Sequence, residues 1–174
     1  MNKVLGHLKT INTHKLTVMK LCFRIHLYKQ GLLHDMSKYT FTELRTGFKY
    51  YQDGLRSPNV AEKEEIGYSK AWMHHKGRNK HHFEYWWDIG KDGLTAVEMP
   101  KNYVLEMFCD RVAASIVYQK ENYTDHHPLM YYQRSREHIF IHPNVDRLLL
   151  HLFEYLDKNG LDATLDYIVK EIKE

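Results

Sequence analysis

The sequence predicts an all-α protein built as a single compact helical domain. Three observations lead there. Apolar residues recur at helical spacing from one end of the chain to the other. Helix-starting and helix-stopping residues punctuate those stretches. No segment shows a convincing strand alternation. A chain of 174 residues with 43% hydrophobic content buries a full core, and a second domain would be cramped.

The elements follow in order. Leu5 to Tyr28 reads as one amphipathic helix, because Ile11, His14, Val18, Leu21 and Ile25 fall on one stripe. Thr40-Phe41-Thr42-Glu43 has the pattern of a capping box and opens a helix to about Gln52. Ser57-Pro58 places a cap before a first-turn proline, and that helix is expected to reach Lys76, where Gly77 ends it. The stretch from about Ile89 to Met99, with Gly90 and Gly93, is expected to be a mobile loop. Pro100 opens a helix to about Gln119, and Pro128 to Ile139 forms another. Pro143 starts a helix that Asn159-Gly160 stops, and a last one covers Asp162 to Lys173. A core of about residues 5–120 is expected to carry the C-terminal helices, about 128–174, packed on it.

Composition narrows the function classes. A net charge of +3 argues against a dedicated nucleic-acid surface. No run approaches 18 apolar residues and no charged-then-apolar leader opens the chain, so neither a membrane span nor export is expected. Cys22 and Cys109 each sit inside a helical pattern as buried thiols, which suits a cytoplasmic protein.

Chemistry concentrates at His34-Asp35, inside Gly31-Leu32-Leu33-His34-Asp35-Met36-Ser37-Lys38. Imidazole and carboxylate side by side suit a divalent transition metal. His14 lies within an apolar stripe, where it is either a core histidine bonded to a carbonyl or tyrosine, or a ligand. Asp110 is harder to place in a core. Its neighbours three and four residues away are Met107, Ala113 and Ala114, with Glu106 the polar exception. A carboxylate on such a face needs a partner or a metal, and Arg111 points roughly 100° away around the helix.

A second signal is the box from Trp72 to Trp87. His74-His75 and His81-His82 are interleaved with Lys76, Arg78 and Lys80 and flanked by aromatics. On helical backbone, adjacent histidines diverge by about 100°, so one of each pair is expected to face the site. The aromatics Tyr85, Trp86 and Trp87 either stack on a base or belong to the core.

The set His14, His34-Asp35 and Asp110 resembles the HD-domain superfamily of metal-dependent phosphohydrolases, over roughly residues 5–120. His34-Asp35-Met36-Ser37-Lys38 is similar to the family's HD-x-x-K string, and Cys109 to Ala114 to its final-aspartate helix. The box is similar to the HH-x-x-x-N-x-HH-x-E-Y-W pattern of a small bacterial and phage branch. The resemblance implies an HD-type fold and one or two ions of Mn, Fe, Zn, Ni or Co. It implies a first ion on His14, His34, Asp35 and Asp110, and a second supported by His74 and either His81 or His82. Asp35 and Lys38 become the catalytic candidates, and Lys38, Lys76 and Arg78 the cations for a small anionic substrate. The implied activity is hydrolysis of a nucleotide or other small phosphate ester. A di-iron oxygenase and a metal-stabilised binding module without turnover are the alternatives. The G-Y-P string of the family's cyclic-dinucleotide subgroup is absent after the box, and the acidic residue that some HD nucleotidases carry shortly after His-Asp is not at its expected place; the nearest is Glu43.

Overall fold

The computed structural model describes residues 2–172. The chain is mainly helical, as its spacing predicts, and α1 (Lys3–Arg24) and α6 (Lys101–Gln119) lie against each other at its centre. Asn2 caps α1 by accepting from the Val4 amide at 2.9 Å. The predicted stripe is real: Ile11, His14, Val18, Leu21 and Ile25 are all buried. The helix ends at Arg24, four residues early. His26 adopts left-handed backbone with φ 57°, and α2 (Tyr28–Leu33) turns back onto α1.

Three of the following helices serve the site. α3 (Phe41–Tyr50), α4 (Pro58–Ile66) and α5 (Lys70–Lys76) pack on one another. The predicted single helix from Ser57 to Lys76 is two. Gly67, at φ 83°, closes α4, and Ser69 caps α5 by accepting from the Trp72 amide at 2.9 Å. Glycine ends a helix here because left-handed backbone costs it nothing.

The expected loop of about 89–99 is an antiparallel hairpin, β1 (Trp87–Gly90) with β2 (Gly93–Ala96). Ile89 pairs with Leu94 and Asp88 with Thr95. Four-residue strands are too short to display alternation. Gly93, at φ 107°, supplies the left-handed position that so tight a turn demands.

α6 is apolar nearly all round and is buried on several faces, through Val104, Leu105, Met107, Phe108, Cys109, Val112 and Ala113. α7 (His126–Arg136), α8 (Pro143–Asn159) and α9 (Leu161–Tyr167) close the domain. Val145, Leu149, Leu152, Phe153 and Leu156 of α8 join the core formed by α1 and α6. Past α9 the chain continues as a π-helix over Ile168–Ile172; Lys173, the predicted helix end, lies outside the described residues.

Gly47 sets how closely α3 approaches α1. A Cβ there would overlap the imidazole of His7, which is held edge-on between Phe48 and Tyr51. Gly47→Ala is therefore expected to destabilise the protein by about 1–3 kcal/mol, the usual cost of overpacking, read as a fall in the melting midpoint. An unchanged midpoint would mean that α3 sits more loosely than the structure has it.

Candidate metal centre

The centre begins at a backbone turn. α2 stops at Leu33, His34 leaves the helix at ψ 127°, and Asp35 takes φ 54°. Left-handed backbone costs a non-glycine residue on the order of 1–3 kcal/mol, and Asp tolerates it better than most. The turn is fastened from α1. Lys15 Nζ donates to the carbonyls of Leu32 at 3.0 Å and His34 at 2.8 Å, which the end of α2 leaves unpaired. Lys15 follows His14 directly, so one stretch of α1 both anchors the turn and supplies a donor to the site.

Asp35 is 2% exposed and lies between two groups of imidazoles. Its Oδ2 is 3.2 Å from His34 Nε2 and 3.7 Å from His14 Nε2. Asp110 Oδ1 completes that side, 2.9 Å from His14 Nε2 and 3.5 Å from His34 Nε2. The other oxygen, Oδ1, is 3.2 Å from His75 Nε2 and 3.4 Å from His81 Nε2. Two sets of potential ligand atoms thus share Asp35. One is His14, His34, Asp35 and Asp110; the other is Asp35, His75, His81 and His82; within each, the donor atoms lie within 4.8 Å of one another.

These donors suit a metal for a further reason. Nε2 of His82 is buried without a hydrogen bond, and Nε2 of His14, His34 and His81 meet only the carboxylates of Asp35 and Asp110. Lys38 Nζ meets Asp35 Oδ2 at 2.6 Å in a charge-assisted hydrogen bond. Buried polar atoms that are paired chiefly with one another are costly to desolvate, and a cation among them would offset that cost.

Behind the rings stand two glutamates. Glu106 Oε1 is 3.0 Å from His34 Nδ1 and 3.1 Å from His81 Nδ1. Glu43 accepts from His74 Nδ1 at 2.8 Å and from His75 Nδ1 at 2.9 Å. A proton committed to a carboxylate at Nδ1 leaves Nε2 free as a ligand. Ser37 and Asn79 close around the same face of His75, with Asn79 Nδ2 2.8 Å from Ser37 Oγ.

The charges of the cluster hold one another. Burial alone would raise the Asp35 carboxyl, but His34, Lys38 and His75 hold it well below its usual range. Asp110 is likewise held down, against burial, by His14 and His34. Burial works against the charge on His34 and His75, yet Asp35 overrides it, raising His34 well above its ordinary value and His75 to about 9. His82, buried beside His81 and His75, is pushed well below and stays neutral.

The sequence placed most of this set. His14, His34, Asp35, His81, His82 and Asp110 all fall in the two groups. His74 does not. Its neighbour His75 faces Asp35, while His74 turns to Glu43 from the helical backbone of α5. His81 and His82 both belong to the second group, because they sit on irregular backbone where the helical divergence does not apply. Of the expected substrate cations, Lys38 reaches the cluster. Lys76 instead lies 5.1 Å above the Trp87 ring, and Arg78 donates to the His74 carbonyl at 3.3 Å. Lys80 stands over Tyr85 at 5.8 Å. Glu106 and Glu43 were missed. Glu106 lies four residues before Asp110 on the same helix face, which was the available signal. Glu43 sits where a capping box would use it, but Thr40 makes no such cap and donates to the Ser37 carbonyl at 2.7 Å.

A family described as "Family of unknown function (DUF5662)" matches residues 3–155. The chain belongs to this family. No curated protein and no solved structure matches it. The matched span contains every residue of both donor groups. It also contains α1 to α7 and most of α8, so the centre and the helices that hold it are part of one family unit.

A pH dependence follows. The folded pKa of His75, about 9, lies above the ordinary 6.5, so its contribution to metal-free stability is complete below pH 6.5 and is lost as pH rises through 9. Metal must displace those protons, so its affinity should rise over the same interval. Thermal melts from pH 6 to 9.5 are expected to show the metal-free protein weakening and the shift caused by added Zn²⁺ growing. A Zn²⁺ shift that shrinks with rising pH would contradict this assignment of His75.

Proposed function

We propose that the chain is a metal-dependent phosphohydrolase with a two-ion centre whose two donor groups share Asp35, acting on a nucleotide or another small phosphate ester. The observation that carries the reading is the buried Asp35 carboxylate, whose two oxygens face imidazoles of two different donor groups. The HD-superfamily resemblance of His14, His34-Asp35 and Asp110 supports it.

His14, His34, Asp35 and Asp110 would hold one ion, and Asp35, His75, His81 and His82 the other. Bound divalent ions supply an acidified water and neutralise charge on phosphoryl oxygens. The chain's own residues supply approach and orientation. The side chains of His34, His75 and His81 are at most 3% exposed, whereas Asp110 is 15% and Lys38 28% exposed. A substrate therefore enters on the side of Asp110 and Lys38. Asp35 holds the Lys38 ammonium, against burial, well above its usual range, so it stays charged at neutral pH. There it meets the phosphate as negative charge develops. Asp110 is held ionised by His14 and His34 and keeps that rim anionic for cations. Lys76 and Arg78 face the Trp87 ring and the His74 carbonyl rather than the cluster, and would meet only an extended substrate.

A second reading is a di-iron oxygenase. The nitrogen-rich second group, with three histidines and one carboxylate, favours it. Iron content and oxygen uptake separate the two.

For the hydrolase, His34→Ala and Asp110→Ala should each lower bound metal and melting temperature, since an ion held only by the native state stabilises it. Lys38→Ala should lower kcat and kcat/KM together by about 10²–10³-fold, the range for a donor that acts in the transition state. Arg78→Ala should chiefly raise KM. The measurement is phosphate release from a panel of nucleotides and phosphomonoesters with Mn²⁺, Co²⁺, Ni²⁺ or Mg²⁺. Metal-loaded protein that releases no phosphate from any of them contradicts the hydrolase.

A further inference from the structure

We propose that Glu106 is a positioning residue shared by both ion positions, so that its loss weakens both ions together. The inference rests on the two-ion reading of the centre. One oxygen of Glu106 lies 3.0 Å from His34 Nδ1 and 3.1 Å from His81 Nδ1. Those rings belong to different groups: His34 stands with His14 and Asp110, and His81 with His75 and His82. They lie one over the other, with centroids 4.5 Å apart and planes at 32°. Glu106 is 5% exposed, and His34 and His81 hold its carboxyl below the usual range against burial.

The consequence is geometric. With His34 Nδ1 bonded to Glu106 and His81 Nδ1 3.1 Å from the same oxygen, His34 Nε2 is aimed at Asp35 Oδ2 and His81 Nε2 at Asp35 Oδ1, at 3.2 and 3.4 Å. The two groups are thus joined twice, in front through Asp35 and behind through Glu106. Neither ring can turn over or exchange tautomer without leaving part of a buried carboxylate unpaired, which is costly. Glu43 is the contrast. It serves His74 and His75 and so reaches only the second group.

Glu106, His34 and His81 also lie close enough to hold an ion themselves. Hydrogen bonding fits better. The contacts of 3.0 and 3.1 Å have hydrogen-bond length. An ion there would also need Nδ1 deprotonated on rings whose Nε2 atoms already face Asp35.

The test is titration of metal-stripped protein with Zn²⁺ against a chromophoric chelator, resolving number of ions and affinities. Wild type is expected to bind two. Glu106→Ala should weaken both, each by about 10–100-fold, the usual effect of removing the partner of a ligand histidine. Glu106→Gln keeps an oxygen that can accept from both rings but loses the charge, so both affinities should fall together by a smaller factor. It provides the readout if the alanine variant does not fold. Glu43→Ala should weaken one ion only. Glu62→Ala removes another buried carboxylate, bonded to Thr46 and Ser69. It should lower stability yet still bind two ions. If wild type binds two and the Glu106 variants weaken one or neither, the shared role is overturned and the two-ion reading stands. A third Zn²⁺ lost on Glu106 substitution makes Glu106 a ligand and also overturns it. Wild type that binds no Zn²⁺ overturns both.

Discussion

One buried carboxylate organises this protein. Asp35 lies between His14 and His34 on one side and His75 and His81 on the other, with Lys38 against one oxygen. A bare carboxylate in such a place is costly, so the surrounding elements must deliver positive charge to it. α1 brings His14, and the turn after α2 brings His34 and Asp35 itself. α5 and the irregular segment after it bring His75, His81 and His82. α6 brings Asp110 and Glu106. The left-handed backbone of Asp35 is one cost of that convergence, and the Lys15 bonds to the Leu32 and His34 carbonyls help to offset it.

The cluster can be neutralised in two ways. Without metal, protons on His34 and His75 balance Asp35, which is why both imidazoles are raised above their ordinary range. A bound divalent ion would take the place of a proton and its charge. The outer carboxylates serve both states, because Glu43 and Glu106 bond through Nδ1 and leave Nε2 directed inward. The neutral His82, wedged 4.1 Å from His81 and 4.8 Å from Trp72 by ring centroids, already presents an unprotonated nitrogen.

Much of this was legible in the sequence, for physical reasons. A histidine in the stripe of Ile11, Val18, Leu21 and Ile25, and an aspartate among Met107, Ala113 and Ala114, stand out because apolar faces tolerate neither without a partner. The helices of the C-terminal half were legible because Pro100, Pro143 and Gly160 mark their ends. What remained hidden depended on contacts between distant segments. The helical divergence of His74 and His75 says that they face different ways, not which one meets Asp35. Glu43 has a local explanation as a cap, and the histidines of α5 draw it away from that role. Glu106 was visible only as the polar exception on the Asp110 face. Gly67 divides a helix whose flanks both look helical, and the hairpin strands are too short for a period-two pattern.

Two ions, one on either side of Asp35, are what the proposed centre requires. Anomalous diffraction from crystals grown with Zn²⁺ or Mn²⁺ tests it most directly. Two peaks are expected, separated by about 3.5–4 Å, the spacing of two-metal hydrolytic sites. One should be ringed by His14, His34 and Asp110, and the other by His75, His81 and His82, with Asp35 touching both. A single peak, peaks away from Asp35, or no peak in metal-soaked crystals would contradict it.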